Sequence, residues 1–331
     1  VQTFLEEILQ QPEALHTLLR SYDTTALEGV RTHINGSPLL FTGMGASYNA
    51  GEIIAYHFQA KKHPAMTCQA VDLLNYKYST GHDHVMIYIS QSGDSAEVAP
   101  LLESSPGNGK NIGITNNPES TLGRLATLTL PLFAGQEETV ATKTYLNTLA
   151  LLNLICGTSH EMLHRLVGRI QTLIQANEQT SSLWQQVISS PNMLYLVGHG
   201  PHAVTARQVS MMCAEWLKRP SIGMSIGAFR HGYIEAVQPE TTVIIFAPWG
   251  ATRISALALA DELTRYGAKV LIVEHGQTRL HSEAHYEPFV DDEFLAPLLD
   301  IIPAQLATEA VARTSGMAQG FRYISKIVSR L

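Results

Sequence analysis

One order of residues occurs twice in this chain, and it restricts the fold more than any other feature. Leu39-Leu40-Phe41-Thr42-Gly43-Met44-Gly45 is an apolar run ending in a G-x-G turn. Met193-Leu194-Tyr195-Leu196-Val197-Gly198-His199-Gly200 repeats it 155 residues later. The run His84-Val85-Met86-Ile87-Tyr88-Ile89, leading to Gly93, is matched at an offset of 157 by 242–250, and 111–116 is matched at 158 by 269–274. A register kept that closely reads as a tandem duplication. Apolar runs separated by helical stretches predict parallel sheets covered on both faces. At 331 residues, 45% hydrophobic and 15% charged, the chain has the material for two cored domains.

Periodicity and punctuation place the remaining elements. An amphipathic helix over 4–12 is expected to stop at Pro12, with a second over 14–20. Helices are predicted over 47–59, 96–102, 144–156 and 205–218, with further strands at 66–70 and 128–132. One helix over 159–187 joins the halves, without flexible-linker composition.

Bulk properties narrow the partners. A formal charge of −7 gives no electrostatic reason to expect nucleic acid or an anionic membrane. Cys68, Cys156 and Cys213 form no C-x-x-C pair, which predicts neither a disulfide framework nor a thiolate zinc site, and a reducing compartment. Glu6 and Glu7 stand where a signal peptide would carry cations, so the expected location is cytoplasmic.

The chemistry gathers at strand-to-helix turns. Ser90-Gln91-Ser92-Gly93-Asp94-Ser95 brings hydroxyls, an amide and a glycine to the end of a strand, and Ser47 opens the helix after the first G-x-G turn. Side-chain donors beside unpaired helix N–H groups suit a phosphate dianion. In parallel sheets, ligands bind beyond the carboxyl ends of the strands, where both turns lie. The G-x-G at Gly43 lacks the third glycine of a dinucleotide fingerprint. His281 and His285 are four apart but in a loop, and zinc is not expected there. His199 and His202, at the second G-x-G turn, could line a half-formed, vestigial or regulatory pocket. No nucleophile triad is present.

Met44-Gly45-Ala46-Ser47-Tyr48-Asn49-Ala50-Gly51 and the Ser90 loop resemble the two phosphosugar-binding loops of the SIS (sugar isomerase) family. The likeness is to the isomerase half of glucosamine-6-phosphate synthase and to fructosamine-6-phosphate deglycases, and it spans nearly the whole chain. It implies an α/β protein of two tandem SIS domains, each a parallel sheet flanked by helices in a flavodoxin-like three-layer sandwich. The implied boundaries are an N-terminal helical segment 1–30, a first domain 31–158, a connecting helix 159–188, a second domain 189–315 and a tail 316–331. The resemblance implies that Gly45, Ala46, Ser47, Ser90, Gln91, Ser92 and Ser95 hold the sugar phosphate.

It further implies that Glu215 shuttles protons between C1 and C2. Phe229-Arg230-His231-Gly232 resembles the family's L-K-H-G segment, whose histidine, here His231, assists ring opening from a neighbouring subunit; a homodimer or higher homo-oligomer follows. Arg322-Tyr323-Ile324-Ser325-Lys326 resembles R-N-L-A-K, making Lys326 the residue over the sugar carbonyl. On the residues alone, a carboxylate such as Glu215 works as a proton shuttle when partial burial lifts its pKa toward neutrality.

Departures from the pattern bear on the reaction. Met212 stands where the synthase has a lysine three residues before its glutamate. Val140-Ala141-Thr142-Lys143 replaces A-S-T-K, Phe321 replaces a proline, and no amidotransferase domain or opening cysteine is seen. The expectation is a cofactor-free and metal-free enzyme removing amine from an amino-substituted sugar 6-phosphate. The alternatives are a plain aldose–ketose phosphosugar isomerase or a non-catalytic sugar-phosphate sensor.

Overall fold

The structure is a computed structural model describing residues 3–76, 84–104, 110–190, 192–283, 289, 292–315 and 320–323. Two compact units result, one of Gln10–Arg165 with Arg322 and Tyr323, and one of Thr3–Leu9 with Leu166–Phe321. A short helix α1 (Phe4–Leu9) belongs to the second unit, where Phe4 packs its ring 4.9 Å from that of Trp216.

The first unit runs α2 (Gln11–Ser21), α3 (Thr24–Ile34), β1 (Leu39–Gly43), α4 (Gly45–Ala60), β2 (Ala65–Gln69), α5 (Ala70–Tyr76) and β3 (Val85–Ile89). It continues through α6 (Val98–Ser104), β4 (Asn111–Thr115), α7 (Thr121–Leu125), β5 (Leu128–Pro131) and α8 (Lys143–Ile155). All five strands are parallel, in the order β2-β1-β3-β4-β5. Every residue of β1 and β3 is buried, as central strands covered on both faces require. Leu40, Met86 and Tyr88 pack on one face with Leu73, Val98, Leu101 and Leu122. On β1, Phe41 meets Phe58 of α4 with ring centroids 5.7 Å apart.

Helices α9 (His160–Gln175) and α10 (Asn177–Ile188) lead to β6 (Leu194–Gly198), α11 (Pro201–Leu217), β7 (Ile222–Ser225) and α12 (Ile226–Arg230). The second unit ends with β8 (Thr242–Phe246), α13 (Arg253–Arg265), β9 (Lys269–Glu274), β10 (Gln277–Leu280) and α14 (Ala296–Ser315). Its strand order is β10-β9-β8-β6-β7, the first unit's order read from the other edge. Two α/β units with parallel-dominated sheets are therefore present, as the repeat predicted.

Several local expectations are corrected. Pro12 does not stop a helix: it lies in the first turn of α2, where its missing N–H is no loss. The long helix over 159–187 is two helices parted at Ala176. Helix α11 starts at Pro201 rather than 205, directly from the second G-x-G turn. The Ser90 loop runs to Glu97 before α6 begins. The segment after β9 turns back as β10, an antiparallel strand that the parallel reading did not contain. Helix α14 is long and apolar enough to cross a bilayer, but 89% of that window is buried in the protein, so it is a core helix.

Candidate functional site

The order β2-β1-β3-β4-β5 reverses direction between β1 and β3, which makes a crevice at their carboxyl ends. Gly43, closing β1, pairs with Ile89, closing β3, so the loops that follow these strands start side by side. A Cβ at Gly43 would lie 2.5 Å from the Ile89 carbonyl oxygen and 3.1 Å from Cβ of Ser47. The fold thus brings Gly45, Ala46 and Ser47 to the same crevice as Ser90, Gln91, Ser92 and Ser95.

Helix α4 enters this crevice without a side-chain cap on its N-terminus. Its first N–H groups and partial positive charge face the crevice, an arrangement that favours an anion. Within the Ser90 loop, the Gly93 N–H donates to Ser90 Oγ at 3.1 Å and the Asp94 N–H to Ser92 Oγ at 3.2 Å. The Ser90 and Ser95 hydroxyls are 3.2 Å apart. Ser90 is buried, whereas Ser47, Gln91, Ser92 and Ser95 are half-buried and open to a ligand. Ser90 therefore shapes the loop, while the others offer the accessible donors.

Asp94, given no role in the sequence reading, ties this loop to its neighbour, and Ser120 packs against it. Asp94 Oδ1 accepts the Thr121 N–H at 2.9 Å, tying the loop to α7. Gly93 has φ +70, and a Cβ there would fall 1.9 Å from Ser120 Oγ. Only glycine meets both demands. A third loop at this end of the sheet is braced by buried Glu137, whose carboxylate accepts from Thr142 N (2.9 Å), Thr142 Oγ1 (2.9 Å) and Thr144 Oγ1 (2.6 Å). Lys143, almost fully buried, donates to Gln10 Oε1 at 2.6 Å.

The proton-transfer candidates stand elsewhere in the chain. Glu215 lies half-buried on the last turn of α11, in the second unit. Lys218, left-handed at the end of that helix (φ 56), donates to the carbonyls of Glu215 and Gly320. His231, exposed, is the C-terminal cap of α12, its N–H donating to Gly227 O at 3.2 Å. Lys326 and His285 lie outside the described residues. Among the described residues no cluster of three or more metal-ligating side chains occurs. His281 Nε2 meets Asp261 Oδ1 at 2.7 Å.

The second unit's crevice, between β6 and β8, is built differently. His199 Nε2 is 3.0 Å from Ser255 Oγ, and His202 is 1% exposed. Arg253 stacks 4.2 Å over the Trp249 ring and donates to Ala247 O (2.9 Å) and Glu274. Arg279 holds the same Glu274 at 3.4 Å. Burial holds the imidazoles of both His199 and His202 below their ordinary pKa.

Comparison with known proteins agrees with this architecture. The SIS domain model matches residues 36–156 and 187–312, so the chain belongs to the SIS domain family and carries two such domains. A glutamine–fructose-6-phosphate aminotransferase [isomerizing] of Pyrococcus horikoshii is 25% identical over 94% of this chain and 55% of its own length. The chain thus spans about half the length of the curated relatives it matches. Among solved structures, the C-terminal domain of glucosamine-fructose-6-phosphate aminotransferase from Francisella tularensis superposes with TM-score 0.81 at 19% identity, covering 97% of this chain and 99% of that one. Glucosamine-6-phosphate deaminase from Thermotoga maritima gives 0.75 at 23% identity, covering 98% and 99%.

Proposed function

We propose that this chain binds a sugar 6-phosphate carrying nitrogen at C1 or C2 and removes the amine by proton transfer between those carbons. The observation that carries the reading is the first unit's crevice, where an uncapped helix N-terminus and the accessible Ser47, Gln91, Ser92 and Ser95 converge. Phosphate held there supplies binding energy remote from the reacting carbons, which can be used to orient C1 and C2. The named relatives, an aminotransferase acting on fructose 6-phosphate and a glucosamine-6-phosphate deaminase, support a phosphorylated sugar and nitrogen chemistry.

For a fructosamine 6-phosphate the steps balance without a redox partner. Glu215 takes a proton from C1, and the C1–C2 enaminol forms as the C2 carbonyl becomes a hydroxyl. Return of a proton to C2 leaves an imine at C1. Water adds to that carbon, the C–N bond breaks, and the amine leaves with an aldose 6-phosphate. Half-burial of Glu215 suits a carboxylate that must both accept and return a proton. His231 opens the sugar ring, and its exposure leaves it available to a second copy of the chain in a homodimer. Lys326 is assigned to the carbonyl. Met212, 2% exposed in the apolar face of α11, leaves no ammonium where the synthase pattern has its lysine, which favours loss of amine over its transfer. The cytoplasm is the compartment in which we place this reaction.

The test is incubation with fructosamine 6-phosphates, scoring hexose phosphate and free amine. Glu215→Gln should lower kcat by about 10²–10⁴-fold while phosphosugar binding persists. Unchanged turnover removes Glu215 from the mechanism. Interconversion of aldose and ketose phosphates without amine release would make the chain a plain isomerase. Binding with no conversion of any of these would make it a sensor.

A further inference from the structure

The second unit keeps the geometry of an anion crevice yet has no serine loop, and one side chain lies where a ligand would. Helices α11 (17 residues) and α13 (13 residues) both begin at the β6/β8 crevice, and neither has a side-chain cap. Between their starts sits the carboxylate of Glu293. It accepts the Ala251 N–H at 3.4 Å, just ahead of α13. Its Oε2 lies 3.7 Å from Nε2 of His202, in the first turn of α11. It fills the space beside Gly250 so closely that a Cβ there would fall 2.3 Å from Oε2.

His202 is the independent sign that this is a ligand position. It is 1% exposed, yet neither ring nitrogen has a hydrogen-bond partner among the described residues. A buried imidazole without hydrogen-bond partners is costly, and so marks a position where a polar group is expected to sit. Glu293 is the polar group that faces it, its Oε2 3.7 Å from Nε2 and beyond hydrogen-bond distance. The approach of His202 and the Ala251 N–H hold the Glu293 carboxyl below its usual pKa, against burial. The neighbouring Arg253 offers no alternative role, since Glu274 and the Trp249 ring already engage it.

We propose that the second crevice is an anion site occupied by the chain's own Glu293, and that removing this carboxylate opens it to a phosphate monoester. A chain with two homologous crevices would then hold one phosphosugar, because the second is filled from within.

The readout is local. The ring ¹⁵N and ¹H resonances of His202 are followed while inorganic phosphate is titrated into the full chain. In the unaltered protein they should not respond. In Glu293→Ala, and in Glu293→Ser should the first variant fold poorly, they should shift saturably with a millimolar midpoint. Glu293→Gln retains the bulk and should stay closed. No His202 response in a folded Ala or Ser variant overturns the proposal. So does a saturable response in the unaltered chain. Because only His202 is read, the result stands whether or not the first crevice takes a phosphosugar.

Discussion

The two crevices are built on one strand order and solve opposite electrostatic problems. The first is lined with neutral donors: Ser47, Gln91, Ser92, Ser95 and the N–H groups that open α4. The second is crowded with groups that engage each other, Glu274 between Arg253 and Arg279, and Glu293 facing the buried His202. A dianion can be bound only where donors are left uncommitted, since a donor already paired must break one bond to make another. Where no ligand is to be taken, the same helix termini can be satisfied by an internal carboxylate. The contrast separates a crevice with accessible donors from one whose charged groups are engaged within the chain.

The largest effect that would sharpen this contrast concerns Asp300 in α14, which packs on the turn between β9 and β10 of the second unit. Asp300 Oδ1 accepts the Gly276 N–H at 2.6 Å. Burial pushes its carboxyl up to about 8, with the charge of Glu274 adding and the Gly276 bond opposing. A folded value above the unfolded 3.8 means that stability is full below about pH 4 and is lost as pH rises to about 8. Asp300→Asn stays neutral and still accepts the Gly276 N–H. Relative to the parent it should gain several kcal/mol between pH 4 and 8, at roughly 1.4 kcal/mol per pKa unit. Denaturant melts that run parallel across this range would refute the buried-acid assignment.

Gly93→Ala follows in size. It forces a side chain into φ +70 and onto Ser120 Oγ, and should cost about 3 kcal/mol and deform the Ser90 loop. A stability loss under about 1 kcal/mol would show that the loop is not held as tightly as its geometry indicates.

In binding, Ser47→Ala or Ser92→Ala should each weaken phosphosugar affinity by about 1.5–3 kcal/mol, roughly ten- to a hundredfold in Kd. Ser255→Ala, at the second crevice, should leave that affinity unchanged. Calorimetric titrations that find the three alike would erase the functional distinction between the crevices.

The smallest effect is at Gly250, where an added Cβ meets the side chain of Glu293, its Oε2 at 2.3 Å and its Cβ at 2.8 Å. Gly250→Ala should cost about 1 kcal/mol, and in a Glu293→Ala background, which removes the carboxylate but keeps Cβ, that cost should shrink. Additive losses in the double variant would place Glu293 away from Gly250 in solution.

Local signals in the chain determined much of this. Duplication was legible because each strand carries its own apolar run and each turn its own glycines, and the donors of the first crevice because hydroxyls crowd one strand end. Helix boundaries were less so: Pro12 could end one helix or begin another, and periodicity across Ala176 does not register a break. Only the tertiary structure decided that β1 lies beside β3, that 277–280 turns back antiparallel, and that Glu293 comes to rest against His202. Those outcomes depend on contacts between residues far apart in sequence. Strand pairing and the placement of a lone carboxylate leave no periodic trace, because the groups that stabilise them meet only after the chain has folded.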